Sequence, residues 1–198
     1  MVSESPPAHP RKVTLASHGY TVVAKGTVLA FVNDLRHEFQ VYQCLEPIQG
    51  FCVPVCLGII DLANPYYYDM GVRIIHMMFL SWAGDNLCDG GACGKDKPGL
   101  ADKVARSVKA IHHAGVLHQD VRAPNICWSD EIRRVMLIDF ERSETLQAQR
   151  PLVRSLIGRK KRLPTARKLQ RGGTTKGLRV GHDARLGKEE LAARRAIL

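Results

Sequence analysis

The chain has 198 residues, 45% of them hydrophobic and 24% charged, which fits one globular core with at most a second small lobe and excludes a wholly disordered protein. No charged segment followed by an apolar run opens it, and its apolar stretches fall far short of the ~18–20 residues of a membrane span, so an intracellular protein, cytoplasmic or nuclear, is expected. The net charge of +10 is concentrated, because residues 150–198 hold 15 Lys or Arg against 3 Asp or Glu, a balance of +12 that leaves residues 1–149 at −2.

Residues 1–12, MVSESPPAHPRK, contain three prolines and little to bury, and read as a flexible leader. The following VTLASHGYTVVAKGTVLAF predicts a hairpin of strands around Gly19 and Gly26. Lys25 falls near the end of its second strand, where a lysine taken alone covers a sheet edge. Leu35, Phe39, Tyr42 and Leu45 then recur four, three and three apart, forming one apolar helical face with Asn33 or Asp34 as cap and Pro47 as terminator. Glu38 lies beside that face, where a carboxylate needs a cation. Residues 51–60 and 72–80 are two further strand candidates, joined by a loop containing Pro-Tyr-Tyr-Tyr. Cys52 and Cys56, if both on a strand, stand about 13 Å apart, too far for a shared zinc. The six cysteines are expected as free thiols, since a disulfide framework belongs to short exported chains.

Leu100, Val104, Val108 and Ile111 mark a second helix, stopped by Gly115. The loop HQDVRAPN, residues 118–125, follows, and ICW and VMLI on either side of SDEIRR predict a hairpin that leads back to IDFE, residues 138–141. Asp120 and Asp139 are thereby brought close in space. Past Glu141 the apolar periodicity fades, so residues 146–184 are expected to be mostly unstructured, and KEELAARRAIL, rich in helix formers, to form a short helix that is marginal unless it docks.

The loop and the segment after the hairpin carry the chemistry. Phosphoryl transfer needs metal ions on the phosphate oxygens, a carboxylate on the attacking hydroxyl and a cation on the nucleotide. Asp120 suits the hydroxyl, Arg122 the transferring phosphoryl group, and Asn125 with Asp139 magnesium, which takes hard oxygen ligands. His112 and His113, ending the second helix, answer its negative pole.

HQDVRAPN followed by IDFE resembles the catalytic loop and metal-binding segment of the protein-kinase-like superfamily, with the Asp120-to-Asn125 spacing matching its pattern. VVAK resembles that family's lysine strand, so the resemblance implies that Lys25 contacts nucleotide phosphates, with Glu38 as its helix partner. LSWAG, with Leu80 and Trp82, then falls at the adenine-binding hinge, and the His118 position supports the loop backbone. HEFQVYQCLEPIQG, LSWAG, GVLHQDVRAPNICW and IDFER together look like truncated fungal proteins usually described only as protein-kinase domains. Covering residues 20–142, the resemblance implies an α+β fold with a small β-rich N-lobe at 13–80, a hinge at 80–84 and an abbreviated C-lobe at 85–145; composition adds a basic, mostly disordered tail with a terminal helix at 146–198. It implies ATP and Mg2+ as cofactors and transfer of the γ-phosphate to a hydroxyl acceptor, protein Ser/Thr or a small molecule.

Four departures keep alternatives open. No G-x-G-x-x-G precedes Lys25, Glu141 replaces the glycine after Asp-Phe, Arg122 stands where protein kinases prefer lysine and keeps the charge without the compact ammonium, and no Ala-Pro-Glu segment follows. A pseudokinase, acting as a nucleotide-binding scaffold without turnover, answers to the same site residues. The basic tail is compatible with a solvated extension, an acidic partner, a nuclear import address in GRKKR, or nucleic acid, the last poorly served by its few aromatic residues.

Overall fold

The computed structural model describes residues 10–14, 19–68, 71–88, 99–146 and 176–196. Its N-terminal part is β-rich. Strands β1 (Pro10–Thr14), β2 (Thr21–Thr27), β3 (Cys56–Tyr68) and β4 (Val72–Ser81) form an antiparallel sheet in the order β1-β2-β4-β3. The predicted hairpin is therefore β1 with β2, although β1 starts at Pro10, inside the stretch read as leader. Lys25 is not on a sheet edge, since β2 is interior and Lys25 stands opposite Met78 of β4.

Helix α1 (Val32–Cys44) buries Leu35, Val41 and Tyr42 together with Glu38. It follows a 3-10 turn, Leu29–Phe31, so Phe31 occupies the cap position and neither Asn33 nor Asp34 caps the helix. Asp34 sits in the first turn instead, where its charge opposes the helix dipole. Strand β3 also departs from expectation. It begins at Cys56 and runs through the tyrosines, with Tyr66, Tyr67 and Tyr68 opposite Ile74, Arg73 and Val72 after an irregular register between Asp61 and Tyr66. Aromatic residues fit a pleated sheet, and Pro65 is accommodated within the irregularity. Cys52 precedes the strand, so strand rise does not govern its distance from Cys56.

Beyond the sheet come β5 (Asp85–Asn86), α2 (Leu100–His113), β6 (Val116–Leu117), β7 (Ile126–Ser129), β8 (Arg134–Leu137) and β9 (Glu144–Thr145). The β7–β8 hairpin forms as predicted, β5 pairs with β7, and β6 pairs with β9. Leu100, Val104, Val108 and Ile111 are buried on α2, and Gly115, at φ 81°, ends it in a conformation that glycine adopts freely. One core cluster joins both parts, with Leu35, Tyr42 and Met78 continuous with Val104, Ile126 and Phe140. Architecture is thus mixed α/β with few helices, compatible with a kinase-like fold.

The largest difference lies at the end of the chain. Helix α3 spans Lys176–Arg195, twenty residues where the sequence predicts an unstructured stretch to 184 and a short terminal helix. It docks on α2, burying Ala193 completely in the shared core and packing Ala196 against it. Docking supplies the stability that an isolated helix lacks. Residues 1–9 of the expected leader and 147–175 of the expected tail lie outside the described residues. Among the described residues no helix is long and apolar enough to cross a membrane.

Gly84, after β4, shows how closely the two parts approach. At φ 100°, it sits where an added Cβ would lie 2.1 Å from the Trp128 carbonyl oxygen of β7. Backbone cannot yield as a flexible side chain does. Gly84→Ala is expected to destabilise the protein by about 3 kcal/mol or more, through steric overlap and an unfavourable φ together; a urea midpoint unchanged from the parent would refute the tightness of this contact.

Candidate active site

The site is built around the Lys25 amine. A lysine in an interior strand reaches little water, and its side chain is 11% exposed. Its Nζ donates to Glu38 Oε2 at 2.7 Å and to Asp139 Oδ1 at 2.8 Å, and Glu141 Oε2 stands 3.8 Å away. Burial pulls the Lys25 pKa down, but Glu38 and Asp139 outweigh it and the net shift is upward. The amine stays an ammonium. Burial pushes the Glu38 carboxyl up, and the attraction of Lys25 draws it partly back.

Glu38 holds more than the lysine. Its Oε1 accepts the Phe140 backbone N–H at 3.2 Å, so one buried carboxylate joins β2 to residues 138–141. Phe140 is fully buried, edge-on to Tyr42 at 5.2 Å and tilted against the His118 ring at 4.5 Å. Asp139, between these contacts, has φ 68°, a left-handed conformation that aspartate tolerates better than most residues.

On the facing loop, Asn125 is buried and its Nδ2 donates to the Asp120 carbonyl oxygen at 2.9 Å and to Asp120 Oδ2 at 3.0 Å. That leaves the side-chain oxygen, Asn125 Oδ1, as its metal-competent atom. Arg122 Nη2 lies 3.1 Å from Asp120 Oδ2 and is mostly exposed. The loop connects directly to the Asp139 segment, because Ile138 N–H donates to the Asn125 carbonyl oxygen at 3.0 Å and His118 Nε2 bonds the Ile138 carbonyl oxygen at 3.0 Å.

The structure therefore brings Lys25, Glu38 and Asp139 together, and Asp120 with Arg122 and Asn125. The hinge residues differ from both groups. Leu80 points into the core at 6% exposure, whereas Trp82 is at the surface with Lys12 Nζ 4.1 Å from its ring centre. Gln119, at φ 63°, is strained for a residue of its type, at a cost of about 1–3 kcal/mol. Its backbone N–H donates to Glu189 of α3. Glu189 went unnoticed in the sequence because the residues α3 buries deepest include alanine, which marks no apolar period; the density of helix formers in KEELAARR was the only signal.

His118 is 1% exposed, and its Nδ1 accepts the Asp120 N–H at 3.3 Å while Nε2 faces the Ile138 carbonyl. Both contacts suit a neutral ring protonated at Nε2. Burial lowers its pKa, with the Ile138 contact opposing. A histidine more acidic in the folded than in the unfolded state contributes stability that is present above the unfolded pKa, about 6.5, and lost as pH falls towards the folded pKa. Unfolding free energy is expected to decline below about pH 6.5, less steeply in His118→Gln; identical slopes in the two proteins would assign the acid sensitivity elsewhere.

Comparison with known proteins bears on this geometry. The model of the lipopolysaccharide kinase (Kdo/WaaP) family matches residues 93–172, a region containing Asp120, Arg122, Asn125 and Asp139. The chain is also 36% identical over 152 residues to the meiotic driver SPOK2 of the fungus Podospora anserina. That match covers 76% of this chain, which spans only 19% of the relative's length. Kdo/WaaP kinases are part of the protein-kinase-like superfamily, and with the fungal match they bear out the resemblance carried by HQDVRAPN and IDFE: this is a chain of protein-kinase-like type.

Proposed function

We propose that the chain is an ATP- and magnesium-dependent phosphotransferase that moves a γ-phosphoryl group to a hydroxyl, with protein serine or threonine as acceptor. The observation that carries the reading is the Lys25 ammonium, shared between buried Glu38 and half-exposed Asp139. A cation next to a carboxylate that water can reach is what nucleotide phosphates and their metal require. Kinase chemistry is also supported by the family matched over residues 93–172.

The donor set fits magnesium. Asp139 and Asn125 offer hard oxygens, the ligand type that magnesium takes. Two protein oxygens suffice for magnesium, whose shell is ordinarily completed by phosphate and water. Bound magnesium would supply positive charge at the phosphate oxygens. The chain's own residues do the rest: Lys25 donates to phosphate oxygens, and Asp120 orients the acceptor hydroxyl and takes its proton. Asn125 and Arg122 both hold Asp120 Oδ2, which directs Oδ1 to the acceptor, and exposed Arg122 offsets charge on the phosphoryl group. Trp82 flanks the adenine from the segment after β4, and Leu80, buried near the end of β4, packs beneath that segment.

Asp120→Asn is expected to lower labelled-phosphate transfer by about 10²–10⁴-fold while keeping the thermal stabilisation given by ATP with magnesium. Transfer at the parental rate would remove Asp120 from the mechanism. Asp139→Asn, at a half-exposed position, is expected to fold and to lose the magnesium-dependent part of that stabilisation; an undiminished part would remove Asp139 as ligand. Stabilisation of the parent by ATP without transfer to any protein or small-molecule hydroxyl would leave a nucleotide-binding scaffold and overturn the enzymatic reading.

A further inference from the structure

Helix α3 delivers a carboxylate to the loop from seventy residues further along the chain. Glu189 is 8% exposed, and a carboxylate so placed needs donors for both oxygens. Oε2 lies 2.5 Å from His112 Nε2 at the end of α2, and Oε1 accepts the Gln119 backbone N–H at 2.5 Å. Gln119 is the left-handed residue directly before Asp120. A second, exposed tie runs parallel: Gln119 Nε2 donates to Glu144 Oε2 at 2.9 Å, and Arg185 of α3 donates to the same oxygen at 3.0 Å.

A non-glycine residue keeps a left-handed conformation only where its surroundings hold it there. The loop's own bonds, from Asn125 and His118, act on Asp120 and not on the Gln119 amide. We propose that Glu189 is a positioning residue, which fixes Gln119 in its left-handed conformation and so sets the direction of the Asp120 carboxylate; this rests on the phosphotransferase reading above. His112 fixes the carboxylate in turn, joining α2, α3 and the loop through one side chain. Helix α3 is thereby part of the active-site support.

The test uses the full chain with Glu189→Ala, Glu189→Gln and Glu189→Asp, and Glu131→Gln, in the exposed turn between β7 and β8, as control. Labelled-phosphate transfer gives kcat and the KM for ATP, and hydrogen exchange reports the Gln119 amide. In Glu189→Ala, kcat is expected to fall about 10–100-fold, as for a misplaced reacting group, while the KM for ATP stays within about twofold because Lys25 and Asp139 are untouched. Gln119 exchange should quicken about tenfold or more, with protection in α2 retained. Glu189→Gln keeps an oxygen acceptor and should recover part of both losses, whereas Glu131→Gln should match the parent.

Parental kcat and parental Gln119 protection in Glu189→Ala would overturn the proposal. So would simultaneous collapse of kcat, KM and α2 protection in the Gln and Asp variants, which marks a purely structural role. If the alanine variant does not fold, the Gln and Asp variants decide by the same readouts. If the parent transfers no phosphate, the phosphotransferase reading fails, and Gln119 exchange alone decides whether Glu189 holds the loop.

Discussion

A buried ammonium must be answered by carboxylates, and in this chain that requirement connects three segments distant in sequence. Lys25 on β2 meets Glu38 on α1 and Asp139 after β8. Leaving either charge without its partner in a site this dry costs several kcal/mol, so α1 cannot swing away from the sheet without a large penalty. Glu38 extends the constraint, since its second oxygen holds the Phe140 amide. The position of residues 138–141 is thereby referred to β2, and Lys25 and Asp139 share one frame.

The facing loop depends on a different device. Gln119 and Asp139 both have left-handed backbones, and each is kept there by neighbours. Neutral His118 lies between them, accepting from the Asp120 amide and bonding the Ile138 carbonyl. Beneath them Phe140 packs on His118 and Tyr42, within the core that runs from α1 to α2. Polar groups are thus set by hydrogen bonds whose bases are immobilised by apolar packing. The site inherits the rigidity of that core.

Much of this was legible in the residues. Four-and-three spacing from Leu35 to Leu45 and from Leu100 to Ile111 identified α1 and α2, because a helix repeats its buried face at that interval. Alternation and turn residues marked the β1–β2 and β7–β8 hairpins. Less legible was β3, whose Pro-Tyr-Tyr-Tyr reads as a loop until β4 supplies the partner strand. Leu80 and Trp82 stand two apart in one short motif, yet the fold buries one and exposes the other.

By itself the sequence determined the local elements and the chemical types gathered in HQDVRAPN and IDFE, since periodicity and side-chain chemistry are properties of neighbouring residues. Only the tertiary structure decided that Lys25 divides itself between two carboxylates, that Gln119 is left-handed, and that Glu189 of a late helix holds its amide. Those contacts join residues 13, 114 and 70 positions apart, and each exists because a buried polar group must find a partner wherever folding places one. No repeat along the chain encodes that partner's position.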